Sequence, residues 1–164
     1  SIRLFMVKDP RTLKISNLPN STVELPNHPS NKMGTRKVMV EDSVFLSSED
    51  VKDLKTGDQL RLMGLGNVKI TSINSEITGE FTDDERDVNF MKLQWVSQKN
   101  AHELKILIPQ RLFVDDKFNE ESLEEIHVYV EPHYLELRNG EEIQFVRFGY
   151  CRKDSSKQAI FTHK

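Results

Sequence analysis

The sequence predicts an all-β protein, either a barrel or a sandwich. Short runs rich in Val, Ile, Leu and Phe recur along the chain, a composition that suits pleated, half-buried strands. Turn residues, including Thr56-Gly57 and Asn139-Gly140, separate these runs at close spacing. Many short strands with turns between them are typical of barrels and sandwiches, and they disfavour a parallel α/β sheet.

The predicted strands follow one another at short intervals. In chain order they are 4–7, 13–16, 36–40, 59–63, 68–73, 77–81, 89–96, 104–108, 127–130, 142–148 and 159–162. Two brief helical turns are expected between them, one over 49–54 with Ser47 or Ser48 as its N-cap, and a second around 121–126. Asn139-Gly140 predicts a tight turn between residues 134–138 and 142–147.

Length, charge and cysteine content limit the classes of function. The chain has 164 residues, enough for one domain or two small lobes. A net charge of −3 and a pI near 6.0 argue against binding nucleic acid by bulk charge, so RNA would need a local patch. The single cysteine excludes a disulfide framework and suits a reducing cytoplasm. No apolar run approaches the roughly 20 residues of a membrane span, and the first residues lack a signal-peptide layout.

Catalytic and metal-binding chemistry has little support in the sequence. The five histidines are scattered without a spacing typical of zinc, and there is no glycine-rich phosphate loop. Cys151 beside Arg152 is predicted to fill a small space in the core, because no base accompanies it. The acidic segment 82–87 is expected to be a solvated loop, since it lacks the glycine at which an ion-binding loop turns. No catalytic residue and no metal ligand are expected.

Residues 144–150, Gln-Phe-Val-Arg-Phe-Gly-Tyr, form the most informative segment. Strand alternation would put Phe145, Arg147 and Gly149 on one face and Gln144 on the other. Gly149 marks a bulge or the close approach of another backbone, and a bulge would let Gln144 and Arg147 serve one surface. A glutamine amide and the five-donor fork of an arginine can read the edge of an unstacked RNA base. An amphipathic barrel strand with a solvated arginine is the alternative.

This segment resembles the C-terminal anticodon-binding region of glutamyl- and glutaminyl-tRNA synthetases, which carries a Gln-Phe-x-Arg-x-Gly-aromatic run. Four further stretches match in the same order and extend the resemblance over almost the whole chain. They are Arg3-Leu4-Phe5-Met6-Val7-Lys8-Asp9-Pro10; Asn27-His28-Pro29 with Met33-Gly34-Thr35-Arg36; Gly57-Asp58-Gln59-Leu60-Arg61-Leu62 with Gly66-Asn67-Val68; and Leu93-Gln94-Trp95-Val96 with Ala101-His102 and Arg111-Leu112-Phe113. Together the five matches identify the chain as a member of this family.

The resemblance implies both a fold and a set of RNA-binding residues. The fold is two β-barrel lobes with a few short helical turns, the first lobe from 1–36 and 113–164 and the second from 37–112. Arg3, Gln144 and Arg147 stand where the family contacts the anticodon, the last two sharing the middle base, a uridine in both glutamate and glutamine tRNAs. Arg61 stands near the first anticodon base. Single-stranded bases expose the edges that such side chains read.

Departures from the family pattern favour a glutamyl over a glutaminyl enzyme. Glutaminyl enzymes often have an arginine where this chain has Met63, a Lys-Arg pair where it has Lys52-Asp53, and a glutamate where it has Val146. Asp53 cannot grip a phosphate, so their scheme for the third anticodon base, at which the two tRNAs differ, does not transfer. We therefore expect an archaeal-type glutamyl enzyme. A glutaminyl enzyme is one alternative, and an all-β protein-interaction module without RNA binding is another from a different class.

The parent enzyme implied by the resemblance attaches glutamate to tRNA(Glu) in the cytoplasm, using ATP and magnesium. An archaeal-type enzyme can also serve tRNA(Gln). The nucleotide-binding signatures of class I synthetases are absent from these residues, so this chain alone is expected neither to be an enzyme nor to bind a cofactor. We expect a monomer whose partner is tRNA, not DNA or a membrane.

Overall fold

A computed structural model describes residues 1–30, 32–109, 113–114, 117–118 and 123–164. Strand accounts for 55% of the structure and helix for 6%, which confirms the all-β prediction. In chain order the strands are β1 (Ile2–Leu4), β2 (Met6–Val7), β3 (Pro10–Ser16), β4 (Thr22–Pro26), β5 (Thr35–Met39), β6 (Ser43–Ser47), β7 (Gln59–Leu62), β8 (Gly66–Ile73), β9 (Ile77–Asp83), β10 (Met91–Leu93), β11 (Val96–Ser97), β12 (His102–Pro109), β13 (Phe113–Val114), β14 (Lys117–Phe118), β15 (Leu123–Val130), β16 (Glu142–Phe145), β17 (Gly149–Lys153) and β18 (Gln158–His163). A short helix, α1 (Ser48–Val51), follows β6, and a 3-10 helix (Pro132–Glu136) follows β15.

One seven-stranded sheet has the strand order β1-β16-β17-β18-β12-β15-β2. Its two outer strands are consecutive in sequence, because only Phe5 separates β1 from β2. β1 pairs in parallel with β16, and β2 pairs antiparallel with β15. Since a single residue joins the two sides of the sheet, the sheet curls into a barrel-like body, the first lobe.

The second seven-stranded sheet, of order β10-β7-β8-β9-β3-β6-β11, curls in the same way. Its outer strands β10 and β11 are separated only by Gln94 and Trp95. β10 pairs in parallel with β7, whereas β11 pairs antiparallel with β6. This is the second lobe, so the prediction of two barrel lobes is confirmed. The predicted strands 4–7 and 89–96 are each divided in two at these junctions.

Each lobe has an apolar core of its own. The core of the first lobe includes Leu4, Ile106, Val130, Tyr134, Phe145 and Cys151, and that of the second includes Leu13, Leu46, Leu60, Ile70, Ile77 and Trp95. Phe5, Val7 and Val146 belong to the chain segments of the first lobe but are buried in the core of the second. Burying a large apolar side chain stabilises a fold by about 1.5–3 kcal/mol. Because these three residues are buried across the junction, they stabilise the contact between the lobes.

The hairpin β4–β5 packs on the second lobe and is bonded to the first. Its side chains Leu25 and Val38 lie in the second core. Arg36 forms a bidentate ion pair with Glu131, with Nε–Oε1 at 2.6 Å and Nη2–Oε2 at 2.7 Å. The same carboxylate accepts the Phe5 backbone N–H at 2.6 Å. The hairpin therefore spans both lobes.

Strand pairing divides the chain differently from the predicted lobe boundaries. β3 pairs with β6 and β9 in the second sheet, whereas β12 pairs with β15 and β18 in the first. By pairing alone, residues 10–16 go with the second lobe and residues 102–109 with the first. The boundaries implied by the resemblance stay a prediction; strand pairing is a separate criterion, and it assigns these two segments to the other lobe.

The helical predictions were only partly right. Residues 123–126 lie in β15, so the predicted helical turn there is wrong; residues 121–122 lie outside the described part. Pairing with β12 along the whole of β15 overrides the local pattern. The helix predicted over 49–54 is shorter, Ser48–Val51, and Ser47 precedes it without a side-chain cap bond. The Ser47 hydroxyl instead accepts the Lys8 N–H, and that of Ser48 donates to the Asp9 carbonyl.

No helix in the described residues is long and apolar enough to cross a membrane.

Candidate RNA-binding surface

The segment predicted as one strand over 142–148 is a hairpin whose tip carries Arg147. β16 ends at Phe145, and β17 begins at Gly149, which pairs with Phe145. The Phe148 N–H donates to the Phe145 carbonyl at 3.1 Å and closes the three-residue loop. The continuous strand and its strict alternation are therefore wrong at this point. The apolar residues on both sides of Arg147 conceal the turn in the sequence.

Arg147 has a left-handed backbone conformation, with φ of 61°. This region costs a residue with a Cβ roughly 1–2 kcal/mol relative to the right-handed one. Its side chain is exposed, and Nη2 donates to the Lys92 carbonyl of β10 at 2.7 Å. Strain of this kind persists only where neighbouring contacts fix the backbone, and it concentrates at functional sites.

The contacts that fix this backbone are made by Val146. Its N–H donates to the Leu4 carbonyl of β1 at 3.2 Å. Its carbonyl accepts the Nε2 amide of Gln94 at 3.1 Å, and the Oε1 of the same glutamine accepts the Met6 N–H at 3.0 Å. Gln94 is buried and bridges the two lobes with both ends of its amide. The sequence motif included Gln94 but gave no indication of this role.

Arg3 and Gln144 are brought together by the parallel pairing of β1 with β16. Nε and Nη2 of Arg3 donate to Oε1 of Gln144 at 3.3 and 3.1 Å. Both residues are half-buried and alternate with core residues on their strands, so they lie on the outer face of the first lobe. With Oε1 directed to Arg3, the Nε2 group of Gln144 has two N–H bonds to offer. Two predicted residues, distant in sequence, therefore form one polar unit.

Arg61 alternates with the core residues Leu60 and Leu62 on β7, so it lies on the outer face of the second lobe, where the loop after β9 covers it and leaves it only 7% exposed. Its Nη1 donates to Oδ1 of Asn67 at 3.2 Å and to the Glu85 carbonyl at 3.4 Å, and its Nη2 pairs with Asp84 at 2.9 Å. The guanidinium thus orders the acidic loop after β9. Next to that loop, hydrogen bonds from the Glu85 N–H and then from the Asn67 amide lower the pKa of Asp83, the last residue of β9.

A groove of about 530 Å³ opens beside Arg147. Four carboxylates line it, those of Glu49, Asp50, Asp53 and Asp58, together with Lys52, Leu54, Gln59, Met91 and Leu93. Lys52 is engaged by Glu49, with Nζ–Oε1 at 2.5 Å. The four carboxylates outnumber the two cations, Lys52 and Arg147, so the groove repels a phosphate group. An uncharged nucleotide base is not repelled in this way.

The fold gives Cys151 and His133 structural surroundings of their own. Burial raises the pKa of the Cys151 thiol to about 12, and Cys151 lies in the first core, as predicted. Glu131 pairs with Arg36, whereas His133 lies in the 3-10 helix and pairs with Glu136 at 2.6 Å. Within the described ranges, no group of three His, Cys, Asp or Glu side chains is placed to hold a metal ion.

Comparison with known proteins identifies related chains over the full length. Two family models match, both described as the anticodon-binding domain of class I tRNA synthetases (E and Q), the first over residues 1–90 and the second over 92–154. The chain is 57% identical to the glutamate–tRNA ligase of Nitrosopumilus maritimus, over all of this chain and 29% of that protein. It is 45% identical to the ligase of Cenarchaeum symbiosum, over 99% of this chain and 29% of that one. It thus spans less than a third of the length of these relatives.

Proposed function

We propose that this chain, which belongs to the anticodon-binding domains of the class I tRNA synthetases for glutamate and glutamine, selects tRNA by reading the middle base of the anticodon. The Arg3–Gln144 pair and the strained tip residue Arg147 are the reading elements. The observation that carries the proposal is the bonded pair of Arg3 on β1 and Gln144 on β16, the strand that leads directly to Arg147.

The chemistry of these side chains suits a uridine. The base edge of uridine presents carbonyl oxygens, which accept hydrogen bonds. Arginine has only donors, and the Nε2 group of Gln144 is a donor once Oε1 is engaged by Arg3. The groups are held by strand pairing and by Val146, so little conformational freedom is lost when a base binds. A splayed anticodon loop offers such bases unpaired.

Arg61 enters the proposal in a different way. A direct contact with the first anticodon base or its phosphate stays a prediction, and it would require the guanidinium to leave Asp84 and Asn67. The described contacts favour a positioning role through the acidic loop. Salt dependence distinguishes the two: loss of a phosphate contact in Arg61→Ala lowers the slope by about one unit, whereas loss of positioning leaves it unchanged.

We also propose that the chain is part of a longer protein similar to its relatives, which are named glutamate–tRNA ligase. This protein would join glutamate to tRNA(Glu) in the cytoplasm. The proposal extends to tRNA(Gln) for an enzyme that serves both. Activation of glutamate with ATP and magnesium would take place in parts of that protein outside these residues, and this chain would act as a monomer. The competing hypothesis is that the chain binds another protein and no RNA.

The test measures binding of the 164-residue chain to anticodon stem-loop RNA with uridine or cytidine at the middle position. Wild type should prefer uridine and bind more weakly as salt rises. Arg147→Ala and Gln144→Ala should each lose roughly 1–3 kcal/mol of this preference. Arg3→Ala combined with Gln144→Ala should cost less than the sum of the two, because both belong to one bonded unit.

Arg11→Ala is the matched control. Its guanidinium also donates to a backbone carbonyl, that of Asn74 at 2.8 Å, but on the second lobe away from the hairpin tip. It removes one positive charge, as Arg147→Ala does, and should leave the uridine preference intact. Equal loss of preference in both variants would reduce the effect to general electrostatics. Absence of salt-dependent RNA binding by the wild type would favour the protein-interaction module.

A further inference from the structure

A row of four residues crosses the outer face of the first lobe. Arg3 pairs with Gln144, Gln144 with Tyr150, and Tyr150 with His163 across β1, β16, β17 and β18. Residues paired across adjacent strands point to the same side of a sheet. The core residues Phe145 and Cys151 directly follow Gln144 and Tyr150 in sequence and point the other way. Arg3, Gln144, Tyr150 and His163 therefore share one surface.

The row changes character halfway along. At one end the side chains of Arg3 and Gln144 are joined by hydrogen bonds. At the other end the rings of Tyr150 and His163 are stacked, with centroids 4.5 Å apart and planes at 11°. Tyr150 is half-buried and His163 is exposed. Strands lie about 4.8 Å apart, so the stacked rings begin one strand away from the amide of Gln144.

Gly149 allows the aromatic end of the row to form. A Cβ at this position would lie 2.8 Å from the His163 carbonyl and 2.7 Å from the ring of Phe161. Any larger residue would push β18 away from β17, and His163 would move with it. The expectation that Gly149 marks the close approach of another backbone is thus confirmed, and this approach is what sets His163 against Tyr150.

We infer that Tyr150 and His163 form a stacking platform for an unpaired RNA base next to the one read by Arg3 and Gln144, an inference that rests on the proposed function. Unpaired bases stack on aromatic side chains, and such stacking tolerates any base because all have π faces. The platform continues the polar unit without a gap. It would add affinity without adding sequence preference, which the Arg3–Gln144 end would supply.

The experiment places 2-aminopurine, a fluorescent base, at one anticodon-loop position at a time in stem-loop RNA. At a position beside the middle uridine, binding of the wild-type chain should quench the fluorescence through stacking. Tyr150→Leu should abolish most of this quenching and weaken binding roughly tenfold, with the uridine preference unchanged. Tyr150→Phe keeps the ring face and is the matched control, expected to behave as wild type. His163→Ala removes the exposed ring of the stacked pair and should weaken the quenching as well.

Each outcome decides the matter. If wild type binds with uridine preference but Tyr150→Leu and His163→Ala bind and quench as it does, the platform is overturned and the proposed function stands. If Tyr150→Phe loses as much as Tyr150→Leu, the hydroxyl is responsible and stacking is overturned. If wild type binds no RNA, both proposals fail. Circular dichroism and thermal melting establish that the variants are folded, and His163→Ala, at an exposed position, tests the platform should Tyr150→Leu be unfolded.

Discussion

Replacing Arg147 by glycine and by alanine should separate backbone strain from recognition. Arg147 has a φ of 61°, which glycine adopts freely and alanine does not. Both variants lose the bond from Nη2 to the Lys92 carbonyl, so that loss cancels in the comparison. Both also lose the guanidinium fork proposed to read the uridine. The two variants should therefore be equally poor at selecting RNA but unequal in stability.

The magnitude follows from two opposed terms. Alanine keeps the cost of the left-handed conformation, roughly 1–2 kcal/mol, which glycine avoids. Glycine in return loses more chain entropy on folding, roughly 0.5–1 kcal/mol. The glycine variant should thus be the more stable by about 0.5–1 kcal/mol. At Arg11, in β3 with ordinary strand geometry, only the entropy term operates, so Arg11→Gly should be less stable than Arg11→Ala by a similar amount.

The assay is urea unfolding followed by the fluorescence of Trp95, which is 1% exposed and lies beside the lobe junction. With a denaturant slope of about 1–3 kcal/mol per M, a difference of 1 kcal/mol shifts the urea midpoint by about 0.3–1 M. The order of stability should be reversed between the two positions. If alanine is as stable as glycine at position 147, the strain argument fails; if Arg147→Gly retains the uridine preference, the recognition argument fails.

Three further predictions concern buried groups, two at the junction of the lobes and one in the core of the first lobe. Arg36→Met leaves the Glu131 carboxylate buried without its cation and should destabilise the fold by roughly 3–5 kcal/mol in urea unfolding, with partial recovery on adding Glu131→Gln; a loss below 1 kcal/mol would contradict it. Because the Cys151 pKa rises from 9.0 unfolded to about 12 folded, stability should fall above pH 9 by up to about 1.4 kcal/mol per pH unit, and Cys151→Ala should lack this part of the dependence. Gln94→Leu leaves the Met6 N–H and the Val146 carbonyl unpaired, so it should cost roughly 1–3 kcal/mol and reduce the uridine preference as well; loss of stability with intact preference would show that Gln94 does not position the tip.

The sequence predicted strands far better than it predicted their ends and partners. Apolar alternation located β7, β8, β9 and β12, since alternate residues of each strand, such as Leu60 and Leu62 or Leu104 and Ile106, lie in a core. It missed β4, β6 and β17, in which few apolar residues stand between polar ones. It also carried a strand through Arg147, because the tight turn there has no glycine or asparagine at the residue with positive φ. A left-handed arginine is costly alone, and only contacts from distant segments make it the stable conformation.

The candidate site shows the same division between local and distant information. Arg3 and Gln144 were recognised by their positions in two motifs, but the bond between them depends on the parallel register of β1 and β16. The burial of Arg61 was not foreseen, since its sequence neighbours resemble those of any amphipathic strand and its partners come from the loop after β9. Gln94 and Glu131 were hidden for the same reason: each satisfies backbone groups far away in the chain.

The hairpin tip is held by contacts from both lobes, and under the proposed function this explains why the reading residue lies at their junction. Val146 is bonded through its N–H to Leu4 in the first lobe and through its carbonyl to Gln94 in the second. Arg147 reaches from the first lobe to the Lys92 carbonyl in the second. A tip attached to one lobe alone would be free to move, and each side chain ordered on binding would then cost about 0.5–1.5 kcal/mol of affinity. Attachment at the junction orders the tip during folding, so the selectivity that we propose for Arg147 should decline whenever the lobes are loosened, even by changes that touch no RNA.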